Sequence, residues 1–190
     1  MLAGMTDPHI LPADLPVPTD DGACAHLPGR CWPAYALPGT DGAVHDLSVL
    51  PGRTVVYAYP KTARPDQAMP EDWDLIPGAR GCTPQSCAFR DHHAELRAAG
   101  ARVFGLSVQD TAYQREAAAR LHLPFALLSD EAGAVRQELR LPTFHAGGED
   151  LLLRVTLIVR DGVIEHVFYP VFPPDRSAQD VLDWLSAHPT

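Results

Sequence analysis

Segments with strand-like and helix-like hydrophobic patterns alternate along the chain. Arg53–Tyr59 is rich in β-branched and aromatic residues and predicts a central strand that ends before Pro60. Further segments of similar content predict strands at Ala43–Leu47, Arg102–Val108, Phe125–Leu128, Leu151–Arg160 and Val163–Phe168. Helical patterns cover Thr111–Leu121, Ala132–Arg140 and the residues that follow Ser177.

Local turn and cap signals sharpen two of these boundaries. Thr83-Pro84 predicts a helix start, because threonine is a good N-cap and proline fits the first helical position. We expect this helix to run to Ala99 and to end at Gly100. Asp161-Gly162 is a strong hairpin signal and joins the last two predicted strands.

The order of these elements indicates the fold class. Strands that alternate with helices and close in a hairpin predict an α/β three-layer sandwich, a central mixed β-sheet flanked by helices. The length of 190 residues favours one domain. Residues 1–38 contain seven prolines and little periodicity, so we expect an irregular proline-rich arm over a domain of residues 39–190. Residues 61–81 form a long loop, which is usually functional or disordered.

The charge and composition of the chain limit its partners. A formal net charge of −9 argues against nucleic acid, whose phosphates require clustered lysine and arginine. No stretch approaches the roughly 20 apolar residues of a membrane span. The N-terminal residues lack the basic start and apolar run of a secretory signal, and four cysteines are too few for a disulfide scaffold. We therefore expect a cytoplasmic protein with reactive or metal-binding cysteines.

Cys82 and Cys87 are the strongest chemical signal, because they lie where the loop is predicted to become a helix. A thiolate at a helix start is stabilised by the helix dipole and by unpaired N–H donors, and it becomes a nucleophile. Residues five apart in a helix have Cα atoms roughly 8–9 Å apart. A disulfide needs about 7 Å or less, so this pair can bond only if the helix start unwinds.

Other interpretations of the cysteines stay open. The two sulfurs of the pair are compatible with buried structural thiols. A zinc site formed with Cys24 and Cys31 fits less well, because the spacings miss the usual two to four residues. For Cys24 and Cys31 we favour plain thiols over a mutual disulfide or a redox relay.

The residues around the pair resemble a known family. Tyr59-Pro60 at a strand end, followed by Gly-Cys-Thr-Pro-Gln-Ser-Cys-Ala-Phe-Arg-Asp at 81–91, is similar to the Q-type peroxiredoxins, also called bacterioferritin comigratory proteins. Further matches follow in order at 103–107, 124–130, Arg154 and 161–168, so the likeness spans about residues 40–190.

The resemblance implies a thioredoxin-like fold and reduction of hydrogen peroxide or organic hydroperoxides without a cofactor. Cys82 corresponds to the peroxidatic cysteine and Cys87 to the resolving cysteine, which forms an intramolecular disulfide. A thioredoxin-like protein then restores the thiols, and by analogy we expect a monomer. Pro60 corresponds to the motif proline. Arg154, expected within a buried strand, corresponds to the arginine that holds the thiolate and orients the peroxide.

Two departures from the family pattern affect this assignment. The motif Pro-x-x-x-Thr-x-x-Cys has Ala79 in place of threonine, and Thr62 or Thr83 are the candidates to supply the hydroxyl. An insertion of about fifteen residues also separates Pro60 from Cys82 beyond the family spacing. This insertion is either a redundant surface loop or a lid that contains Trp73 and Arg80. Two rival functions remain, a thiol–disulfide oxidoreductase, which the wide cysteine spacing disfavours, and a binding module with structural cysteines.

Overall fold

A computed structural model describes residues 7–190 of the chain. Its strands are β1 Leu37–Pro38, β2 Val44–His45, β3 Arg53–Ala58, β4 Ala101–Ser107, β5 Leu127–Ser129, β6 Thr143–Ala146, β7 Glu149–Leu152, β8 Val155–Arg160 and β9 Val163–Phe168. Its α-helices are α1 Cys82–Asp91, α2 His93–Ala98, α3 Thr111–Arg120, α4 Ala134–Leu139 and α5 Ser177–Ala187.

The central sheet is mixed and has the strand order β5-β4-β3-β8-β9. β3 pairs parallel with β4 and antiparallel with β8, so it occupies the middle of the sheet. β8 and β9 form the hairpin predicted at Asp161-Gly162. Gly162 has a φ of 78°, and a Cβ there would lie 2.2 Å from the Ser48 carbonyl oxygen, which explains why glycine is needed.

Two hydrophobic layers cover the faces of the sheet. One face packs against α4 and against the proline-rich arm, which contributes Cys24, Leu27 and Trp32. The other face packs against α1, α2 and α5, through buried residues such as Phe89, Leu96 and Val181. The structure therefore confirms the predicted sandwich. The boundary after residue 38 stays a prediction.

The predicted helix from Thr83 to Ala99 is divided in two. Its N-cap is Gly81, with a φ of 113°, so Cys82 rather than Pro84 is the first helical residue. Gln85 donates the first backbone hydrogen bond, to Gly81 at 3.0 Å, so Pro84 still lies where a missing N–H costs no helical bond. The helix breaks at His92, where α1 ends and α2 begins.

The predicted strand Leu151–Arg160 is also divided. Its first residues belong to β7, which pairs with β6 in a separate hairpin. Gly147 and Gly148 form the turn, and both have positive φ values, 59° and 80°. This hairpin was missed because the apolar run continues without interruption into β8. Among residues 7–190, no helix is long and apolar enough to span a membrane.

Candidate active site

Cys82 is placed by the turn that starts α1. It is the first helical residue after Gly81, and the residue is 3% exposed. The residue is therefore shielded from bulk solvent. Cys82 nevertheless lines a cavity of about 850 Å³, so a small molecule in the cavity can reach it.

Arg154 lies beside the sulfur. Its Nη2 donates to Cys82 Sγ at 3.3 Å, and the side chain is almost fully buried. The prediction that Arg154 belongs to a strand is wrong, because it occupies the break between β7 and β8. Its burial agrees with the expectation, and the break gives the guanidinium its place beside the helix start. A buried positive charge and the N-terminus of α1 both favour an anionic sulfur.

The guanidinium of Arg154 is held by the loop before α1. Its Nη2 lies 3.3, 3.2 and 3.4 Å from the carbonyl oxygens of Gly78, Ala79 and Arg80. The side-chain Nε has no acceptor among residues 7–190, which leaves one donor of this side chain uncommitted. The loop therefore holds the Nη2 end of the guanidinium with backbone oxygens. The other terminal nitrogen, Nη1, is left for one further contact.

That further contact comes from Gln85, which the sequence analysis did not single out. Gln85 Oε1 accepts from Arg154 Nη1, and Gln85 Nε2 donates to Ser177 Oγ at 3.2 Å. Ser177 Oγ lies in turn 3.1 Å from Thr156 Oγ1. This buried chain connects α1, α5 and β8 and fixes the plane of the guanidinium. The sequence signal that could have indicated this role is the glutamine inside the Thr-Pro-Gln-Ser segment.

Aromatic side chains form the apolar floor below α1. Tyr57 stacks on Phe89 with ring centroids 4.5 Å apart, and its hydroxyl donates to Ser86 Oγ at 3.0 Å. Burial raises the pKa of Tyr57 and of Tyr59, so both remain neutral phenols. A neutral floor of low polarity strengthens the electrostatic interaction between Arg154 and Cys82.

The hydroxyl missing at Ala79 has one candidate replacement in the cavity. Thr62 is turned elsewhere, because its N–H and Oγ1 lie 3.1 and 3.5 Å from Gln109 Oε1. Thr83 is buried and lines the cavity together with Cys82. Ala79 itself contributes its backbone oxygen, which lies 3.8 Å from Cys82 Sγ.

Cys87 lies in the same continuous helix as Cys82, and both are free thiols. Burial raises the pKa of the half-buried Cys87, while the positive charge of Arg90 partly offsets this effect. Helix geometry keeps residues five apart too distant for a disulfide, so bonding requires the start of α1 to unwind.

The inserted loop 61–81 forms a wall of the cavity. Trp73 is buried and packs against Phe144 of β6, with ring centroids 5.9 Å apart. Arg80 pairs with Asp74 at 3.2 Å and donates to the backbone oxygen of Asp7 at 2.8 Å. The loop is thus anchored to the hairpin and to the arm. These contacts favour the interpretation as a wall or lid over that of a redundant surface loop.

The other residues singled out from the sequence have no described contact with Cys82 or Arg154. Pro60 is buried just after β3, and its role at the site stays a prediction. Cys24 belongs to the arm and is buried in the core, while Cys31 of the arm is exposed and pairs with Val163 in an isolated β-bridge. Within residues 7–190, no group of three or more His, Cys, Asp or Glu side chains is arranged to hold a metal ion. The four-cysteine zinc site is therefore not supported.

Sequence comparison gives a family and named relatives. The Redoxin family model matches residues 27–182. A putative chloroplastic peroxiredoxin Q of Oryza sativa subsp. indica is 34% identical over 161 residues, which cover 84% of this chain and 66% of that protein. The chain thus spans just under two thirds of that relative's length. The chloroplastic peroxiredoxin Q of Sedum lineare is 32% identical over 161 residues, covering 84% of this chain and 77% of that protein.

Solved structures agree with this result. Peroxidoxin BcpB from Mycobacterium tuberculosis superposes with a TM-score of 0.70 and 25% identity, covering 87% of this chain and 100% of that one. A cysteine-to-serine mutant of PrxQ from Xylella fastidiosa superposes with a TM-score of 0.70 over 86% of this chain and 98% of that one. At 19% identity, the second likeness shows the fold alone.

Proposed function

Because the chain belongs to the Redoxin family and, within it, to the Q-type peroxiredoxins, we propose that it reduces hydrogen peroxide and organic hydroperoxides through Cys82. The observation that carries this proposal is the 3.3 Å contact between Arg154 Nη2 and Cys82 Sγ at the start of α1. It places the positive charge beside the sulfur that must attack as a thiolate.

The first step oxidises Cys82. Its thiolate attacks one oxygen of the hydroperoxide, the O–O bond breaks, and the leaving alkoxide takes a proton to become an alcohol or water. Cys82 becomes a sulfenic acid. Arg154 stabilises the thiolate before the attack, and its buried donors favour the negative charge that moves from sulfur to the departing oxygen.

The second step couples the two cysteines. Cys87 attacks the sulfenic sulfur of Cys82, water leaves, and an intramolecular disulfide forms. The first turn of α1 must open for this step, because its helical geometry holds the sulfurs apart. A thioredoxin-like dithiol then reduces the disulfide and is itself oxidised. We also propose that the protein is a monomer and that it works in the cytoplasm, where most cysteines stay reduced, as the four free thiols do here.

Mass spectrometry after one equivalent of peroxide tests the pathway. We expect a Cys82–Cys87 link and no other new disulfide. In Cys87→Ser, the matched control, we expect a sulfenic acid at Cys82 that reacts with dimedone. Linkage of Cys24 to Cys31 with an unchanged Cys82 would contradict the proposal. Reduction of insulin disulfides without peroxide consumption would instead favour a thiol–disulfide oxidoreductase.

A further inference from the structure

A second groove lies at the other end of the sheet from Cys82. β5 pairs with β4 only at Gly105–Ser107, so the start of β4 has no strand beyond it on that side. A groove of about 990 Å³ opens there, between the end of α2, the outer face of α3 and residues 123–126. Ala101 in its floor pairs with Arg53, the first residue of β3. Tyr59 follows the other end of β3, and the rise per residue of a strand places Arg53 and Tyr59 roughly 20 Å apart.

The charge in this groove is opposite to that of the whole chain. Arg97, Arg102 and Arg115 line it and are exposed, although the chain has a net charge of −9. Neither Arg97 nor Arg115 has an ion pair or side-chain hydrogen bond described within residues 7–190. Arg102 donates to the Pro51 carbonyl oxygen at 2.8 Å, which leaves its charge without a carboxylate.

Asp41 is the acidic side chain that lines the groove, and it is already engaged. Its carboxylate lies 2.9 Å from His45 Nε2, so it pairs with the imidazole. The pKa of His93 is lowered by burial and by the charge of Arg97, which indicates that this guanidinium lies near the His93 ring. Arg97, Arg102 and Arg115 outnumber this one carboxylate, so the lining of the groove keeps a net positive charge that a bound anion can meet.

Aromatic rings form part of the same groove. The rings of His93 and Phe125 have centroids 5.7 Å apart, and those of His45 and Phe104 are 4.8 Å apart. The groove volume is within the range of small-molecule sites. Guanidinium groups bind phosphate through paired hydrogen bonds, and ring surfaces favour a planar partner.

We propose that this groove binds a small organic phosphate that carries a planar ring, such as a mononucleotide. The guanidiniums of Arg97 and Arg115 contact the phosphate groups, Phe125 with His93 packs against the ring, and Arg102 adds positive charge at the rim of the groove. A polymeric nucleic acid is disfavoured because the overall negative charge of the chain repels a long phosphate backbone. This site is independent of the peroxidase chemistry at Cys82.

Calorimetric titration with ADP tests the proposal. We expect saturable binding that weakens with added salt and falls at least about tenfold in the double variant Arg97→Gln/Arg115→Gln. Arg176→Gln, an exposed arginine on another part of the chain, is the matched control and should bind like the parent protein. Both substituted arginines of the double variant are exposed, so its thermal unfolding should not change.

Two further probes separate the parts of the ligand. Adenosine, which lacks phosphate, should not bind, and pyrophosphate, which lacks a ring, should bind more weakly than ADP. The proposal is overturned if ADP shows no saturable binding or binds the double variant equally well. It is also overturned if pyrophosphate binds as tightly as ADP, or if only a single-stranded oligonucleotide binds.

Discussion

Cys82 and Cys24 are almost equally buried, with 3% and 4% of their surfaces exposed, but their surroundings differ in charge. Cys82 faces the guanidinium of Arg154 at the start of a helix. Cys24 lies near Asp20 and Asp21, and burial together with these carboxylates raises the pKa of its thiol to about 12. At pH 8 this leaves roughly one Cys24 in 10⁴ as thiolate. Burial is the larger cause of the raised pKa of Cys24, but both cysteines are buried, so what differs between them is the sign of the neighbouring charge, positive at Cys82 and negative at Cys24.

The largest effect should come from removing each sulfur in turn. Cys82→Ser should lower the rate of peroxide consumption at least about 10³-fold, because the attacking atom is lost. Cys24→Ser should leave the rate unchanged. Stopped-flow measurements of peroxide loss with both variants provide the check. Equal activity of Cys82→Ser and the parent protein would remove the distinction between the two sites.

The next effect should follow from the charge beside Cys82. Arg154→Gln should slow peroxide reduction by about 10²-fold, comparable to the loss of one preorganised donor to a developing negative charge. The rate of Arg154→Lys should lie between that of the parent protein and that of Arg154→Gln, because lysine keeps the charge but not the planar set of donors. Arg53→Lys is a matched control, since Arg53 is also buried but pairs with Glu165 on the edge of the sheet.

These variants must be compared per folded molecule, because Arg154 also holds the loop before α1. Thermal unfolding of each variant supplies that correction. If Arg154→Gln reduced peroxide as fast as the parent protein, the guanidinium would have only a structural role.

A smaller effect concerns the pH dependence of the resolving step. Burial raises the pKa of Cys87, so its thiolate fraction is low near neutrality and grows as pH rises. The rate of Cys82–Cys87 disulfide formation should therefore increase by up to about tenfold per pH unit and continue to rise past the ordinary thiol pKa of about 8.5. Rapid quench at several pH values measures this rate. A plateau already at pH 7 would contradict the expected sign.

Arg90→Gln provides the matched variant for this prediction. It removes a positive charge that lowers the pKa of Cys87, so the whole profile should shift to higher pH. An unchanged profile would mean that Arg90 does not act on the resolving thiol.

The smallest effect should come from the acidic surroundings of Cys24. Asp21→Asn removes one of the carboxylates that raise the pKa of Cys24, while burial, the larger cause, remains. Iodoacetamide labelling of Cys24 at pH 9 should therefore rise less than about tenfold. Asp14→Asn is the control, because Asp14 is not among the carboxylates that raise the pKa of Cys24. A larger increase than this would show that charge, not burial, keeps the thiol protonated.

Much of the sheet and the cysteine pair followed from local sequence signals. The segment predicted at Arg53–Tyr59 formed β3, Arg53–Ala58, because its β-branched content suits a buried strand, and Asp161-Gly162 formed the last hairpin. These signals act over a few residues, so a single sequence contains them in full. The same holds for the helix that follows Ser177.

The parts that were not predicted depend on contacts between distant residues. The apolar run from Leu151 to Val159 concealed the break at Arg154, because burial on both sides looks the same in a strand and in a bend. Gln85 and Ser177 are 92 residues apart, and no local pattern indicates that they meet. Trp73 against Phe144 likewise connects the inserted loop to a hairpin that sequence patterns merged with the next strand.

The contacts of Arg154 have a consequence for the timing of turnover. Three successive carbonyl groups and the sulfur of Cys82 converge on one nitrogen of the same guanidinium. In the proposed cycle, this cluster of contacts loosens when Cys82 moves to meet Cys87, and it re-forms after reduction of the disulfide, before the next peroxide arrives. If the proposed cycle operates, we expect the interval between turnovers to depend partly on how quickly residues 78–82 regain their backbone conformation.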